Sequence, residues 1–178
     1  EEISAQAAEI ISSDREHVWH HLTPHNAFKN SDPLIIKSGV GMRVTDIKGT
    51  EYLDATSGGV WSVNVGYGRE SIANAVRDQL LEMCYFANSA GSIPGAKFAQ
   101  RLLQKMPEMQ DAETSGKGKV YYSNSGSEAN EKVYKMVRQL AHINGDGRRH
   151  KIIFRDRDYH GSTIGALSST GHQQRKEQ

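Results

Sequence analysis

Cysteine is nearly absent: Cys84 stands alone among 178 residues. One thiol makes no internal disulfide and no cysteine-based metal cluster, so a reducing, cytoplasmic setting is expected. No apolar run nears the roughly 20 residues that cross a bilayer. The acidic start, EEISAQAAEI, lacks the basic region of a signal peptide. Charge of neither sign dominates, at a formal net +1, which removes the electrostatic footprint of a nucleic-acid binder. The short run Arg148-Arg149-His150-Lys151 reads as a solvated loop. Core residues are somewhat scarce at 37%, and mean hydropathy is −0.64, as though some apolar partner surface were missing.

What is present falls into two zones. Residues 3–22 carry a thin apolar stripe at helical spacing: Ile3, Ala7, Ile10, Ile11, Val18 and Leu22. Pro24 and Pro33 bracket an irregular connection. Leu34-Ile35-Ile36, Met42 to Ile47 and Tyr52 to Ala55 read as short strands, the last two joined by a turn over Asp46 to Thr50. Residues 56–68, TSGGVWSVNVGYG, hold four of the 17 glycines and suit a loop passing close to a ligand or another backbone. Ile72, Ala73, Val76, Leu80 and Met83 share one face of a helix over 69–83. Phe98, Leu102 and Met106 mark a second helix from about Gly95, and the polar linker AETSGKGK follows it. Then come a strand at Val120-Tyr121-Tyr122, a turn to Gly126, a helix from Ser127 to about Ile143, a strand at Lys151 to Phe154, and a helix starting near Ser162. Such alternation marks a parallel α/β sheet. The expected division is an α+β segment over 1–68 and the start of an α/β layer over 69–178. Two strands are too few to complete that layer.

Chemistry concentrates at two turns. Tyr122 to Asn130 leads from a strand into a helix N-terminus, where unpaired N–H groups and the positive helix end gather. Gly126 lets a ligand approach the backbone, and Ser125 and Ser127 add hydroxyls, a set suited to phosphate. No Gly-Lys-Ser/Thr follows, so this is not a nucleotide-hydrolysing loop. The same residues also describe a plain Ser-capped helix. The second turn, Asp158 to Thr163, follows the other strand. Ligands of parallel sheets sit outside the carboxyl ends of the strands, which puts Tyr159 beside the phosphate cradle, able to stack on a flat heteroaromatic group. A packed loop tyrosine is the alternative. His17 and His21 stand i, i+4, a spacing metal ligands use, with His20 and His25 nearby. Without the Glu of an HExxH pattern and without cysteine partners, no metal is assigned.

Ser125-Gly126-Ser127-Glu128-Ala129-Asn130, with Tyr159-His160-Gly161 downstream, resembles the class III aminotransferases, fold-type I enzymes that use pyridoxal 5′-phosphate. The likeness runs from about Trp19 to Gly171. It includes Asp46 to Asp54 and Asn64-Val65-Gly66-Tyr67-Gly68, although His is more usual where Tyr67 stands. It implies that 1–68 is the N-terminal α+β segment of the small domain and 69–178 the first, incomplete part of the large, mainly parallel α/β domain that binds the cofactor. By the same resemblance Ser125, Gly126 and Ser127 would hold the cofactor phosphate. Tyr159 would stack on the pyridine ring, and His160 and Gly161 would shape that loop. Trp61 matches an aromatic position lining the amine pocket of the omega-amino-acid branch, a core tryptophan being the alternative. Tyr85 to Pro94 resembles the loop that enters the partner subunit's site, which implies a homodimer with shared sites. Within the family, Ser57 to Gly68 and Phe86 to Gly95 look like the taurine–pyruvate aminotransferases. The implied reaction moves an amino group from an omega-amino donor such as taurine to a keto acid such as pyruvate.

The family's Schiff-base lysine and the acid beside the pyridine nitrogen lie C-terminal to everything in this sequence. Lys117, Lys119, Lys132 and Lys135 match no catalytic motif, and Asp156 and Asp158 read as turn or capping residues. No catalytic residue is therefore assigned here. The lysine is expected beyond position 178, and the 178 residues alone are expected not to transaminate. A start without Met and the polar tail GHQQRKEQ fit a piece of a longer subunit. A non-catalytic binding module is the second reading, and an aminomutase or decarboxylase on the same scaffold a third. A half-built sheet is expected to leave apolar surface exposed.

Overall fold

The computed structural model describes residues 4–21, 23–87, 89–106, 118–145 and 147–176. Ile3, Leu22, Asn88, Lys117 and most of the polar linker lie outside the described residues. The chain divides into two compact units, Glu1–Ala87 and Asn88–Gln178.

In the first unit, helix α1 (Ala5–His17) begins where Ser4 caps it, the Ser4 Oγ accepting from the Ala7 amide at 3.2 Å. Ala7 and Ile11, one turn apart, are its buried residues. Arg15 and His17 lie in the last turn, where the helix dipole favours cations. The helix stops at His17, short of the expected residue 22. Val18 turns extended, and His20 is drawn back against the helix, its Nε2 2.7 Å from Asp14 Oδ1. The His20 amide donates to His25 Nε2 at 2.9 Å, and Phe28 lies edge-on to both imidazoles. These tertiary contacts outweigh the modest helix propensity of Val18-Trp19-His20.

Strands β1 (Ile36–Val40), β2 (Arg43–Asp46) and β3 (Glu51–Leu53) form an antiparallel sheet in that order. Val40 pairs with Arg43, Gly39 with Val44, and Val44 in turn with Tyr52. The two-residue turn Gly41-Met42, with Gly41 at φ 60°, joins β1 to β2. The strand expected at Leu34 to Ile36 is displaced. Register is set by this turn, so the ladder runs through Lys37-Ser38-Gly39 and leaves Leu34 outside it. Asp46 builds the β2–β3 turn. Its Oδ1 accepts from the amides of Lys48 (2.9 Å) and Thr50 (2.8 Å), and its Oδ2 from the Tyr52 hydroxyl (2.9 Å). Burial pushes this carboxyl up, but the Thr50, Tyr52 and Lys48 donors outweigh burial and hold it below the usual carboxylate range. Helix α2 (Glu70–Glu82) closes the unit with Ile72, Val76 and Leu80 exposed along one face.

In the second unit, helix α3 (Ile93–Lys105) is capped by Ser92 and carries Pro94 in its first turn. Helices α4 (Gly126–Ile143) and α5 (Ile164–Ser168) follow. The segments expected as strands, Val120 to Tyr122 and Lys151 to Phe154, join no ladder. The antiparallel sheet of the first unit is the one sheet among the described residues. A strand exists only through its neighbours, and these two segments do not pair with each other. Instead Tyr122 ties to α3, its hydroxyl donating to the Gly95 carbonyl at 2.5 Å and its ring centre 6.2 Å from that of Phe98. Lys132 of α4 donates to the Tyr122 carbonyl and lies 4.0 Å over the Tyr121 ring. Val133, Val137 and Leu140 leave an exposed apolar face on α4. Among the described residues no helix is long and apolar enough to cross a membrane.

Candidate functional site

The N-terminus of α4 is built by its own sequence. Ser125 is the cap residue, its Oγ accepting from the Glu128 amide at 3.2 Å, while Glu128 Oε2 reaches back to the Asn124 amide at 3.0 Å. The Ser125 hydroxyl thus caps the helix and keeps its own proton to donate. Gly126 faces open space, since a Cβ there would meet nothing within 4 Å. Ser127 Oγ accepts from the Ser162 amide at 3.0 Å and likewise keeps its proton. The Ser123 hydroxyl, at the head of the turn, is buried without a partner among the described residues.

The Tyr159-His160-Gly161 turn is fastened to the same helix. Asn130 Nδ2 donates to the His160 carbonyl at 2.5 Å. Glu131 Oε1 accepts from the Thr163 hydroxyl (2.6 Å) and from the amides of Gly165 (2.9 Å) and Ala166 (3.1 Å). The Tyr134 hydroxyl meets that of Ser169. Ser127, Asn130, Glu131 and Tyr134 stand at i, i+3, i+4 and i+7, so one polar face of α4 grips the whole loop. The Thr163 hydroxyl above all, then the Ala166 and Gly165 amides, hold the Glu131 carboxyl below its usual range against partial desolvation.

Gly161 is buried at φ 144°, and a Cβ there would stand 2.6 Å from both Ala166 Cβ and Ser127 Oγ. Only glycine admits so close an approach in that conformation. Thr170 is wholly buried; its hydroxyl accepts from the His160 amide and donates to the Ala166 carbonyl, each at 3.0 Å. Thr170→Val keeps the shape but orphans the His160 amide. The variant is expected to lose about 1–3 kcal/mol of stability, seen as a lowered urea midpoint with an unchanged slope. Tyr159 remains exposed, with its hydroxyl 3.0 Å from Ser162 Oγ and the Arg175 guanidinium 4.8 Å over its ring.

Trp61 belongs to the first unit, where it ends a tight coil, Ser57–Trp61. Ser57 and Trp61 both sit at φ 57°, a region costly for residues other than glycine. Asp54 holds the coil. Its Oδ2 accepts from the Gly58 amide (2.6 Å) and the Tyr67 hydroxyl (2.7 Å), and its Oδ1 from the Thr56 amide and hydroxyl, each at 3.0 Å. These donors, Tyr67 first, pull the Asp54 carboxyl down to about 2. Tyr67 exchanges both backbone hydrogen bonds with Gly41 and lays its ring on Gly39, where a Cβ would stand 2.7 Å from Tyr67 Cγ. The Trp61 side chain itself is 76% exposed.

Of the residues singled out from sequence, Ser125, Gly126, Ser127, Tyr159, His160 and Gly161 lie on two adjoining turns of one unit. Glu131, Tyr134 and Thr170 organise these turns, and Asp54 organises the Trp61 coil of the first unit; none of the four was singled out. For the first two the available signal was the polar i, i+3, i+4, i+7 stripe. His17, His20, His21 and His25 form no ligand set; among the described residues no three His, Cys, Asp or Glu are placed to hold a metal.

A family model described as Aminotransferase class-III matches residues 26–178. The chain belongs to the class III aminotransferases. Its relatives agree. A taurine–pyruvate aminotransferase of Rhodobacter capsulatus is 55% identical over 175 residues, 98% of this chain and 36% of that protein. A hypotaurine/taurine–pyruvate aminotransferase of Paracoccus denitrificans is 57% identical over 166 residues, 93% of this chain and 34% of that protein. Among solved structures, a Bacillus anthracis aminotransferase superimposes with TM-score 0.85 at 35% identity, covering 100% of this chain and 37% of that one. An (S)-enantioselective omega-transaminase of Thermomicrobium roseum gives 0.84 at 32%, covering 99% and 38%. The class III aminotransferase fold seen here is therefore part of the fold-type I architecture. The chain spans about a third of the length of the curated relatives it matches.

Proposed function

We propose that these residues supply the cofactor cradle and one wall of the amine pocket to a subunit that transfers an amino group from an omega-amino donor to pyruvate. The donor is taurine, as in the names of the relatives above. Residues 1–68 act as the small-domain segment and 69–178 as the beginning of the large domain. The observation that carries this reading is the bond between Ser127 Oγ and the Ser162 amide. It sets a helix N-terminus with two donor hydroxyls beside an exposed aromatic ring.

The residues present fit pyridoxal phosphate. Gly126 presents open space at the positive end of α4, the Ser125 and Ser127 hydroxyls retain their protons, and the buried Ser123 hydroxyl lies at the head of the same turn. Ser125, Gly126 and Ser127 would hold the phosphate, and Tyr159 would take the ring, with His160 and Gly161 fixing the turn. Pyridoxal phosphate, when bound, supplies the carbonyl that receives the donor's amine and the ring that accepts its electrons. The chain's own part is to bind, orient and keep water from one face. Trp61, held outward by the Asp54-organised coil, would line the path of the amine.

A non-catalytic module is favoured by one observation within these residues. Lys132, the α4 lysine nearest the turn, is directed to the Tyr122 carbonyl and the Tyr121 ring. The amine nucleophile is assigned to the rest of the subunit because no lysine within these residues matches the family's catalytic motif. The exposed faces Ile72-Val76-Leu80 and Val133-Val137-Leu140 are surface for that remainder, or for the partner in a homodimer, to cover. The test follows alanine formation from taurine and pyruvate with pyridoxal phosphate present. The complete subunit should turn over and the 178-residue chain should not. A complete subunit silent with taurine and every other omega-amino donor would sink the reading, and full turnover by the 178 residues would sink the division of labour.

A further inference from the structure

We infer that Glu131 is a positioning residue that fixes the aromatic turn against the phosphate-binding helix end. The inference rests on the cofactor reading above. Glu131 stands one turn along α4 from Ser127, and its single oxygen Oε1 gathers three donors from the segment just after the Tyr159 turn: the Thr163 hydroxyl and the amides of Gly165 and Ala166. Those two amides are first-turn groups of α5, which have no partner within their own helix. Gly165 gives the carboxylate room, since a Cβ there would meet Glu131 Oε2 at 2.4 Å. Asn130 and Ser127 hold the two sides of the turn at the His160 carbonyl and the Ser162 amide. Glu131, which touches neither the Tyr159 ring nor the Ser127 hydroxyl, thus braces the segment behind these direct bonds and keeps the two groups set relative to each other. The distance between phosphate and ring in a bound cofactor is fixed, so slack between the two turns must weaken binding of the whole molecule more than binding of phosphate alone.

All three bonds fall on one oxygen, which gives the test its form. A glutamine carries an acceptor oxygen in the same place, and an alanine carries none. In the complete subunit, Glu131→Ala should raise the Kd for pyridoxal phosphate about tenfold or more, and speed amide exchange at 165 and 166. Inorganic phosphate affinity should change by no more than about twofold. Glu131→Gln should restore cofactor affinity to within about threefold of the parent. Thr163→Val, which removes one donor without a cavity, should fall between them and serves if the alanine variant fails to fold. An unchanged cofactor Kd in Glu131→Ala, or equal losses for cofactor and phosphate, would overturn the inference. So would a Glu131→Gln variant as weak as the alanine. Failure of the parent subunit to bind pyridoxal phosphate at all would instead overturn the cofactor reading on which the inference stands.

Discussion

Gly161→Ala is expected to weaken pyridoxal phosphate binding by the complete subunit about a hundredfold, while Gly147→Ala, on the loop after α4, changes it by less than about fivefold. The difference lies in what each new methyl meets. At Gly161 it would stand 2.6 Å from Ala166 Cβ and from Ser127 Oγ, and 3.0 Å from Ser127 Cα. Ala166 is wholly buried and Ser127 Cα is helix backbone, so neither yields as a flexible side-chain tip would. The φ of 144° adds strain for any residue with a Cβ. Overpacking costs about 1–3 kcal/mol and a sparsely populated backbone about as much. The loop escapes both by lifting off α4, which breaks the bond from the Ser162 amide to Ser127 Oγ. At Gly147, whose φ is not left-handed, a methyl would meet only His142 Nδ1, at 3.9 Å, an ordinary contact. Cofactor titration of both variants, with amide exchange at 160–166, separates the two. Equal affinities would show that the closeness of the two turns is irrelevant to binding.

Asp54→Asn is expected to raise the KM for the amine donor about tenfold, with a smaller change in cofactor affinity. Asp54 takes four bonds, from Thr56 twice, Gly58 and Tyr67, more than any other side chain gives the coil that carries Trp61 among the described residues. Asparagine keeps one acceptor oxygen and exchanges the other for a donor that faces either the Gly58 amide and Tyr67 hydroxyl together or the Thr56 amide and hydroxyl together. The same bonds give a pH dependence of known sign. The Asp54 carboxyl titrates at about 2 instead of 3.8. A carboxyl depressed in the folded state stabilises fully above its unfolded value and loses that stabilisation as pH falls through the folded one. The coil should therefore hold above about pH 4 and loosen between about pH 4 and 2. Trp61 fluorescence in a Trp19→Phe background would follow it. Asp46, also depressed, titrates in the same unit, so Asp54→Asn should reduce the acid transition without abolishing it. An identical acid transition in the Asn variant would show that Asp54 does not hold the coil.

Local signals carried well wherever the structure is local. Ser92 and Ser125 cap α3 and α4 close to where the apolar periodicity begins. The Asp46 turn, too, stands where its sequence places it. Departures arise where a distant partner decides. His20 ends α1 early because Asp14 and His25 hold it. β1 slides toward Val40 because the Gly41-Met42 turn fixes the ladder. Val120 to Tyr122 and Lys151 to Phe154 have strand composition, but composition records burial, and a ladder needs neighbours. The motif residues of the candidate site stand out in the sequence because their spacing is unusual. Glu131 and Thr170 were not. A glutamate on a helix and a threonine in a loop have many plain uses, and the Glu131 partners stand 32 to 35 residues away.

The most direct test is borohydride reduction of the complete subunit with pyridoxal phosphate, followed by peptide mapping. The cofactor should be retained covalently on a single lysine outside residues 1–178, with loss of a visible absorption band. The 178-residue chain, at 19.7 kDa, should gain no mass under the same treatment. Specific, stoichiometric attachment at Lys132, Lys135 or another lysine within these residues would contradict the assignment of this chain as cradle without nucleophile. A complete subunit that neither shows the band nor gains mass would contradict the cofactor reading itself.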